Sequence, residues 1–159
     1  MELLLFVGAP YLNQKQVLTL ISRIRRRTND FVTIKLKENG LQNISPSHGD
    51  IIFSLLDNEK LTMKEISEKI DRKKNTVTAL IEKLFNLGYI KKQICTNDKR
   101  VCYISLTEKG LQLENLFIKI SNELLIKTYS GLNIKDKENG LRFLTTIHQN
   151  ISREVDLIR

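Results

Sequence analysis

The sequence is poor in the residues that break helices, cross-link a chain or build metal sites. Its 159 residues include no Trp, 2 Pro and 7 Gly, and this scarcity, with many Leu, Ile and Lys residues, favours long helices. The two cysteines, Cys95 and Cys102, are too few for a disulfide framework, so the reducing cytoplasm is the expected compartment. Two His and two Cys at these spacings form no recognisable metal site, and we expect no cofactor.

Long apolar runs and catalytic motifs are missing as well. The apolar stretch Leu3–Val7 is brief, follows Glu2 rather than basic residues and ends before Pro10. We therefore predict a packing arm there, not an export signal. No segment approaches the roughly 18 apolar residues of a membrane span. A nucleophile–base pair and a glycine-rich phosphate loop are also absent, so we expect neither an enzyme nor a membrane partner.

Positive charge is concentrated in one segment of the chain. Residues 60–109 hold 12 Lys and Arg against 6 Asp and Glu, a net charge of +6 out of the chain's +8. Residues 1–59 and 110–159 carry 7 basic and 6 acidic residues each. The composition, 28% charged and 41% hydrophobic, is that of a folded protein. A compact basic segment is typical of proteins that bind a polyanion, most often DNA.

Helical periodicity, caps and glycines predict a mainly α fold (α+β) with one short hairpin. The expected order is a helix-turn-helix, a two-stranded wing and flanking helices. The predicted segments are helices at about 11–36, from Ser45-Pro46 to near Asp57, from the Thr62–Glu65 capping box, and at about 73–87; strands at about 89–96 and 100–106; and helices at about 107–129 and 135–157.

The helix at about 73–87 is the predicted reading helix. Its start and outer face carry Lys73, Lys74, Asn75, Thr76, Thr78 and Lys83. Lysines neutralise phosphates, Asn can make a bidentate contact to adenine, and Thr can contact a base or a phosphate. The second helix of such a motif lies in the major groove with its N-terminal residues nearest the bases. Taken singly, each of these residues also fits solvated helix surface or a helix cap.

The predicted wing tip reads Thr96-Asn97-Asp98-Lys99-Arg100. A charged tip beside a reading helix can place an arginine in the adjoining minor groove. Asp98 is in position to hold the Arg100 guanidinium in a fixed fork. The tip sequence by itself fits a polar turn better, because Asn and Asp favour turns for local reasons.

Residues Thr62–Gly110 resemble the winged helix-turn-helix of the MarR family of bacterial transcription regulators. The shared features are Leu61-Thr62, Asn75-Thr76-Val77-Thr78, Leu84 before Gly88-Tyr89-Ile90, Asp98-x-Arg100, and Leu106-Thr107-Glu108-Lys109-Gly110. Each feature alone is weak, but together they are highly specific. The flanking helices match the family in order and length only.

The resemblance implies a single domain over residues 1–159. Within it, residues 45–110 would form the DNA-binding lobe, and residues 1–44 and 111–159 a helical dimerisation region. The implied partners are double-stranded DNA, a second copy of the chain and, as in many relatives, a small aromatic or anionic effector. The implied role is a sequence-specific transcription regulator, more often a repressor.

In the family, Asp-x-Arg positions the wing and its arginine enters the minor groove, roles that fall here on Asp98 and Arg100. Arg72 departs from the family pattern, in which a small apolar turn residue is usual. Either the turn packs less tightly here or Arg72 adds a phosphate contact. The full set of residues expected to contact DNA is Thr62, Arg72, Lys73, Lys74, Asn75, Thr76, Thr78, Lys83, Asp98, Lys99 and Arg100.

Apolar residues in the last predicted helix recur at alternating steps of three and four, which is typical of a coiled-coil seam. We expect the first and last helices of two subunits to intertwine and present two reading helices to a near-palindromic operator. The expected interface residues are Val17, Ile21, Ile24, Leu141, Leu144, His148, Ile151, Val155 and Ile158.

The register of the wing decides between two roles for the cysteines. A two-residue turn would pair Cys95 with Cys102, whereas a shift by one residue pairs Ile90 with Leu106 and Ile94 with Cys102. The apolar pattern favours the shifted register, which sends the two sulfurs to opposite sides. A thiol-redox-sensing regulator using Cys95/Cys102 therefore remains an alternative, as does a winged-helix protein–protein module without DNA binding. For His48, in the second helix, we expect a capping or packing role.

Overall fold

The computed structural model describes residues 8–96 and 98–158. The apolar arm predicted at Leu3–Val7 lies outside the described residues. The elements follow one another as α1 (Gly8–Glu38), α2 (Pro46–Leu56), β1 (Leu61–Thr62), α3 (Met63–Lys69), α4 (Lys74–Asn86), β2 (Ile90–Ile94), β3 (Cys102–Leu106), α5 (Glu108–Leu111), α6 (Glu114–Thr128) and α7 (Ile134–Ile158). The mainly helical fold with a small sheet is the fold that the sequence predicts.

Most helix ends agree with the predicted signals to within a few residues. Helix α4 ends at Asn86, two residues before Gly88, and α6 ends shortly before Gly131. These glycines have φ values of 75° and 80°. A residue in this left-handed conformation ends a helix, and glycine adopts the conformation at little energetic cost because it has no Cβ. The capping box is also present, because the Glu65 carboxylate accepts from the Thr62 N–H at 2.7 Å and the Thr62 hydroxyl accepts from the Glu65 N–H at 3.3 Å.

The prediction of one continuous helix at about 107–129 is wrong. The chain forms two helices, α5 and α6, separated at Gln112 and Leu113. The Leu113 N–H bonds to the Gly110 carbonyl, three residues back, at 3.1 Å. This tighter turn interrupts the regular α-helical pattern, in which each N–H bonds four residues back.

The sheet has the antiparallel order β1-β3-β2. Ile90 pairs with Leu106 and Ile94 with Cys102, which confirms the shifted register. The apolar faces decide this register because a slip by one residue would turn Ile104 and Leu106, both buried, toward solvent. The third strand, β1, was not predicted. Its two residues, paired with Ile104 and Tyr103, are too few to give a strand pattern.

The chain divides into two compact units, the first ending at Ser121 and the second beginning at Asn122. The first unit has one apolar core shared by the helix-turn-helix, the sheet and parts of α1 and α6. Helix α6 packs on α2 through an edge-to-face contact of Phe117 with Phe53, with ring centroids 5.6 Å apart. The fully buried side chains are Leu36, Ile51, Ile52, Ile66, Val77, Ile81, Leu84 and Ile104.

The second unit contains the end of α6 and the whole of α7. Along α7 nearly every side chain is exposed, including large apolar ones: Leu141 is 69% exposed and Ile151 is 51% exposed. Of the other predicted interface residues, Leu144, His148, Val155 and Ile158 are exposed in α7, while in α1 Ile24 is exposed and Val17 and Ile21 are half-buried.

Among residues 8–96 and 98–158, no helix combines the length and the apolar character that a membrane crossing requires.

Candidate nucleic-acid interface

The turn between α3 and α4 is held by backbone and side-chain hydrogen bonds around Arg72. The Arg72 N–H donates to the Ser67 carbonyl at 3.1 Å, and the Ser67 hydroxyl donates back to the Arg72 carbonyl at 2.5 Å. Asp71 completes the turn with a φ of 49°, an uncommon conformation for a residue other than glycine. The turn is therefore well tied, which argues against looser packing as the consequence of Arg72.

Helix α4 presents the predicted reading residues at its first turn. Lys73 occupies the N-cap position without a side-chain cap bond, and Lys74, Asn75 and Thr76 are exposed. Thr78 is half-buried, and its hydroxyl donates to the Lys74 carbonyl at 3.0 Å. The opposite side of the helix is anchored in the core by the buried residues Val77, Ile81 and Leu84. The first turn thus presents cations and short polar groups, together with backbone N–H groups that have no partner within the helix.

At the wing tip, Asp98 binds the backbone of Arg100. Its carboxylate accepts from the Arg100 N–H at 2.9 Å. The expectation that Asp98 holds the guanidinium in a fork is therefore wrong, because a carboxylate two residues before an N–H closes a local Asx-type turn first. Asp98, Lys99 and Arg100 are all exposed. Asp98 shapes the tip, and the Arg100 side chain extends from it.

A cleft of about 720 Å³ lies between the helix-turn-helix and the wing. Three predicted site residues from three different elements line it together: Thr62 before α3, Lys74 in α4, and Arg100 in the wing. The sequence interpretation missed the other lining residues, which are Met63, Lys64, Ser67, Glu68, Val101 and Cys102. Local pattern gives no signal for them, because the turn and the sheet bring α3 and the wing together across about 30 residues of chain.

Eight predicted residues do not line this cleft, and among them Arg72 and Lys83 lie in distinct surroundings. Arg72 is half-buried and interacts with Asp50 of α2: burial raises the pKa of the Asp50 carboxyl, while the charges of Arg72 and Arg25 oppose the rise. Lys83 lies nine residues after Lys74, roughly 13 Å further along the helix axis. Its charge acts on His48 at the start of α2. The structure thus separates Lys83 from the cations near the cleft.

Three lysines of the basic segment are engaged by the protein's own aromatic rings. The ammonium of Lys60 lies 4.8 Å from the ring centroid of Tyr103, and that of Lys92 lies 4.8 Å from Phe85. Lys92 also forms a salt bridge with Glu82. The third, Lys109, lies 4.7 Å from the Tyr89 ring. Such contacts hold a cation near the surface of the protein itself. The net charge of residues 60–109 is therefore larger than the charge that is available to a ligand.

His48 has the capping role that the sequence predicts. Its Nδ1 accepts from the Ser45 N–H at 3.0 Å and lies 2.6 Å from the Ser45 hydroxyl. Nδ1 is then the acceptor nitrogen, so Nε2 carries the proton, and this buried atom has no hydrogen-bond partner within the described chain. Burial, and after it the charge of Lys83, lowers the pKa of His48 below its ordinary value.

Both cysteines are free thiols. Cys102 pairs with Ile94 in the sheet, and Cys95 follows one residue later, so the two are out of register by one position. This arrangement argues against the disulfide switch. Among the described residues, no group of three or more His, Cys, Asp or Glu side chains is arranged to hold a metal ion.

Known proteins are similar to this chain in sequence or in fold. The transcriptional regulator SarZ of Staphylococcus epidermidis is 30% identical over 88 residues, which are 55% of this chain and 57% of SarZ. The chain thus matches little more than half the length of this curated relative. Among solved structures, the transcriptional regulator SlyA has a TM-score of 0.79 at 20% identity, covering 90% of this chain and 99% of its own. The MepR protein of S. aureus, solved with DNA, has a TM-score of 0.77 at 23% identity, covering 83% and 96%.

The capped support helix α3, the exposed start of α4 and the strand pair with its charged tip define a winged helix-turn-helix protein. Residues 44–102 match the model of the MarR family. This part of the chain is thus similar to the winged helix-turn-helix of that family.

Proposed function

We propose that this protein is a transcription regulator that binds double-stranded DNA as a homodimer on a near-palindromic operator. The observation that carries the proposal is the cleft in which Thr62, Lys74 and Arg100 meet. Cations from the reading helix and from the wing there border a single concave surface, which suits a DNA backbone passing from one groove to the next. The DNA in the MepR structure supports the same class of partner.

The exposed residues of α4 divide between phosphate contacts and base contacts. Lys73 and Lys74 neutralise phosphates at the mouth of the major groove. Asn75 and Thr76, in the same turn, contact base edges. The Thr78 hydroxyl proton is already donated to the Lys74 carbonyl, so Thr78 contributes its methyl group or a hydrogen-bond acceptor.

The wing supplies a second contact to DNA. Asp98 holds the backbone of Arg100, and the exposed Arg100 side chain enters the minor groove next to the major groove occupied by α4. Lys99 and Thr62 add contacts to the backbone on either side. Arg72, which is half-buried in the turn, and Lys83, roughly 13 Å along α4 from Lys74, contribute long-range attraction rather than direct contacts.

The exposed apolar face of α7 supports the dimer. Leu141, Leu144, Ile151 and Val155 are each more than 40% exposed, and a soluble protein usually covers a continuous apolar surface of this kind. A two-fold dimer presents two reading helices to successive major grooves. Sedimentation at micromolar concentration tests it, and a clean monomer contradicts the dimer. Repression and control by an effector stay predictions from the family.

DNA binding is tested by selecting duplexes from a random-sequence library and measuring affinity for a selected duplex at several salt concentrations. Lys74→Ala is expected to reduce the slope of log affinity against log salt by about 0.9. The control Lys135→Ala, an exposed lysine of α7, makes the same charge change and leaves that slope unchanged. Asn75→Ala is expected to reduce discrimination against altered duplexes by about 1–3 kcal/mol. If the native protein enriches no duplex and binds none in a salt-dependent way, the protein–protein module is the better interpretation.

A further inference from the structure

The segment that follows β3 is fastened to the end of the reading helix. The Thr107 hydroxyl donates to the Gly88 carbonyl at 2.7 Å, and the Thr107 N–H donates to the Tyr89 carbonyl at 3.0 Å. Gly110 approaches so closely that a Cβ placed on it would lie 2.1 Å from the Tyr89 oxygen. The turn from α4 into β2 and the exit from β3 are thus in direct contact.

Lys109 adds the contact that reaches α4 itself. Its ammonium donates to the carbonyl of Leu87, the C-cap residue of α4, at 2.8 Å. A carbonyl at a helix C-terminus has no partner within the helix, and a cation there also opposes the negative end of the helix dipole. The Tyr89 ring, 4.7 Å from the ammonium, holds the lysine in place.

These contacts join the two elements that are proposed to read DNA. Helix α4 carries the residues for the major groove, and β2 and β3 carry Arg100. Lys92 also links β2 to α4, through Glu82 and Phe85. Lys92 is half-buried and Glu82 is exposed, and an ion pair at the surface stabilises a structure only weakly. Lys109 is exposed too, but its partner is of a different kind. Lys109 instead satisfies a main-chain group at the helix end, so it constrains the direction of α4 relative to the wing.

We propose that Lys109 is a positioning residue for DNA recognition: it sets the direction of α4 relative to the wing without touching DNA. The inference rests on the proposed DNA-binding function. Leu87, to which Lys109 binds, lies 13 residues after Lys74, roughly 20 Å along the helix axis from the reading end. A small change of direction at that anchored end moves the reading residues relative to Arg100.

Lys109→Gln tests the proposal, with Lys91→Gln as a matched control. Lys91 is an exposed lysine of β2, so both variants lose the same charge. Each variant is made with and without Arg100→Ala, and affinities are measured at several salt concentrations for a duplex that the native protein selects. Lys109→Arg and Lys109→Met are measured in parallel, because arginine keeps the cation and methionine keeps the aliphatic stem over Tyr89.

Lys109→Gln is expected to lower affinity for the selected duplex by about three- to tenfold, which corresponds to the net value of one ordinary hydrogen bond at the surface. The salt slope should equal that of the control. Arg100→Ala should cost less affinity in the Lys109→Gln background than in the native one, because a wing that is no longer aligned contributes less. Lys109→Met should behave like Lys109→Gln, and Lys109→Arg should restore affinity.

Three results overturn the positioning role. The first is an affinity of Lys109→Gln equal to that of Lys91→Gln, and the second is a salt slope of Lys109→Gln lowered by about one, which indicates a phosphate contact. The third is full additivity of the effects of Lys109→Gln and Arg100→Ala on affinity. Thermal unfolding verifies that every variant is folded at the assay temperature, so that lost stability alone does not explain lost affinity. A native protein that selects no duplex contradicts the proposed function itself, independently of Lys109.

Discussion

Gly110→Ala gives the sharpest test of the contact between the exit of the wing and the turn after α4. Gly110 has an ordinary helical position in α5, so its backbone conformation suits alanine. The added Cβ would nevertheless lie 2.1 Å from the Tyr89 oxygen and 3.1 Å from Cδ2 of Leu106. The first distance is more than an ångström too short and involves a main-chain atom that cannot rotate away.

Relief of this clash requires the α5 segment to move off the α4–β2 turn. The movement would stretch the bonds from Thr107 to Gly88 and Tyr89 and from Lys109 to Leu87. Overpacking costs about 1–3 kcal/mol and each weakened hydrogen bond about 1 kcal/mol. We expect the free energy of unfolding to fall by about 3 kcal/mol, which for a chain of this size lowers Tm by roughly 6–12 °C.

The assay is thermal and urea unfolding at one fixed protein concentration, because dimerisation would make Tm depend on concentration. Gly140→Ala in α7 is the matched control: nothing lies within 4 Å of a Cβ at that position. There the helix propensity of alanine should raise stability by about 0.5–1 kcal/mol. A Gly110→Ala protein as stable as the native one would refute the close approach, and equal losses in both variants would refute its local origin.

Three further predictions concern the helix starts and the wing. Burial, and after it the charge of Lys83, lowers the pKa of His48, so the unfolded chain binds more protons and native stability falls as pH drops through about 6.5. His48→Gln should reduce this loss of stability, measured by urea unfolding at pH 7.5 and 5.5. An unchanged loss contradicts the assignment to His48. Asp71→Gly should stabilise the protein by about 0.5–1 kcal/mol, because glycine tolerates the φ of 49°; a lower urea midpoint argues against strain there. Arg100→Ala should weaken DNA binding by about 1–3 kcal/mol and relax preference at the operator flanks, and unchanged binding in an anisotropy titration removes the wing from the interface.

Much of the fold follows from local sequence signals. Thr62 and Glu65 begin α3 through a capping box, and Gly88 follows the end of α4. Both signals can be recognised in the sequence because caps and left-handed glycines affect only the few residues next to them. Two local predictions failed. Strand β1 exists only through its pairing with β3. The break between α5 and α6 comes directly after Gly110, which the fold brings against Tyr89. Both depend on residues distant in sequence.

The candidate site was predictable in outline but not in detail. Exposure of Lys74, Asn75 and Thr76 follows from the helical stripe that buries Val77 and Ile81 on the other side. Asp98 acts differently from its prediction because its carboxylate closes a local turn by accepting from the Arg100 N–H, two residues further on. The lining of the cleft between α3 and the wing required the tertiary structure.

The basic segment shows which properties of this protein follow from its sequence and which follow from its fold. Composition and periodicity predict that residues 60–109 carry a net charge of +6 on a helix-turn-helix with a wing, since charge and periodicity are properties of the chain. Which of these cations are available to a ligand follows from the folded structure. Lys92 binds a residue 10 positions away and Lys109 one 22 positions away, whereas Lys74 and Arg100 border an open cleft. The physical reason is that such contacts form between residues that only the folded chain brings together.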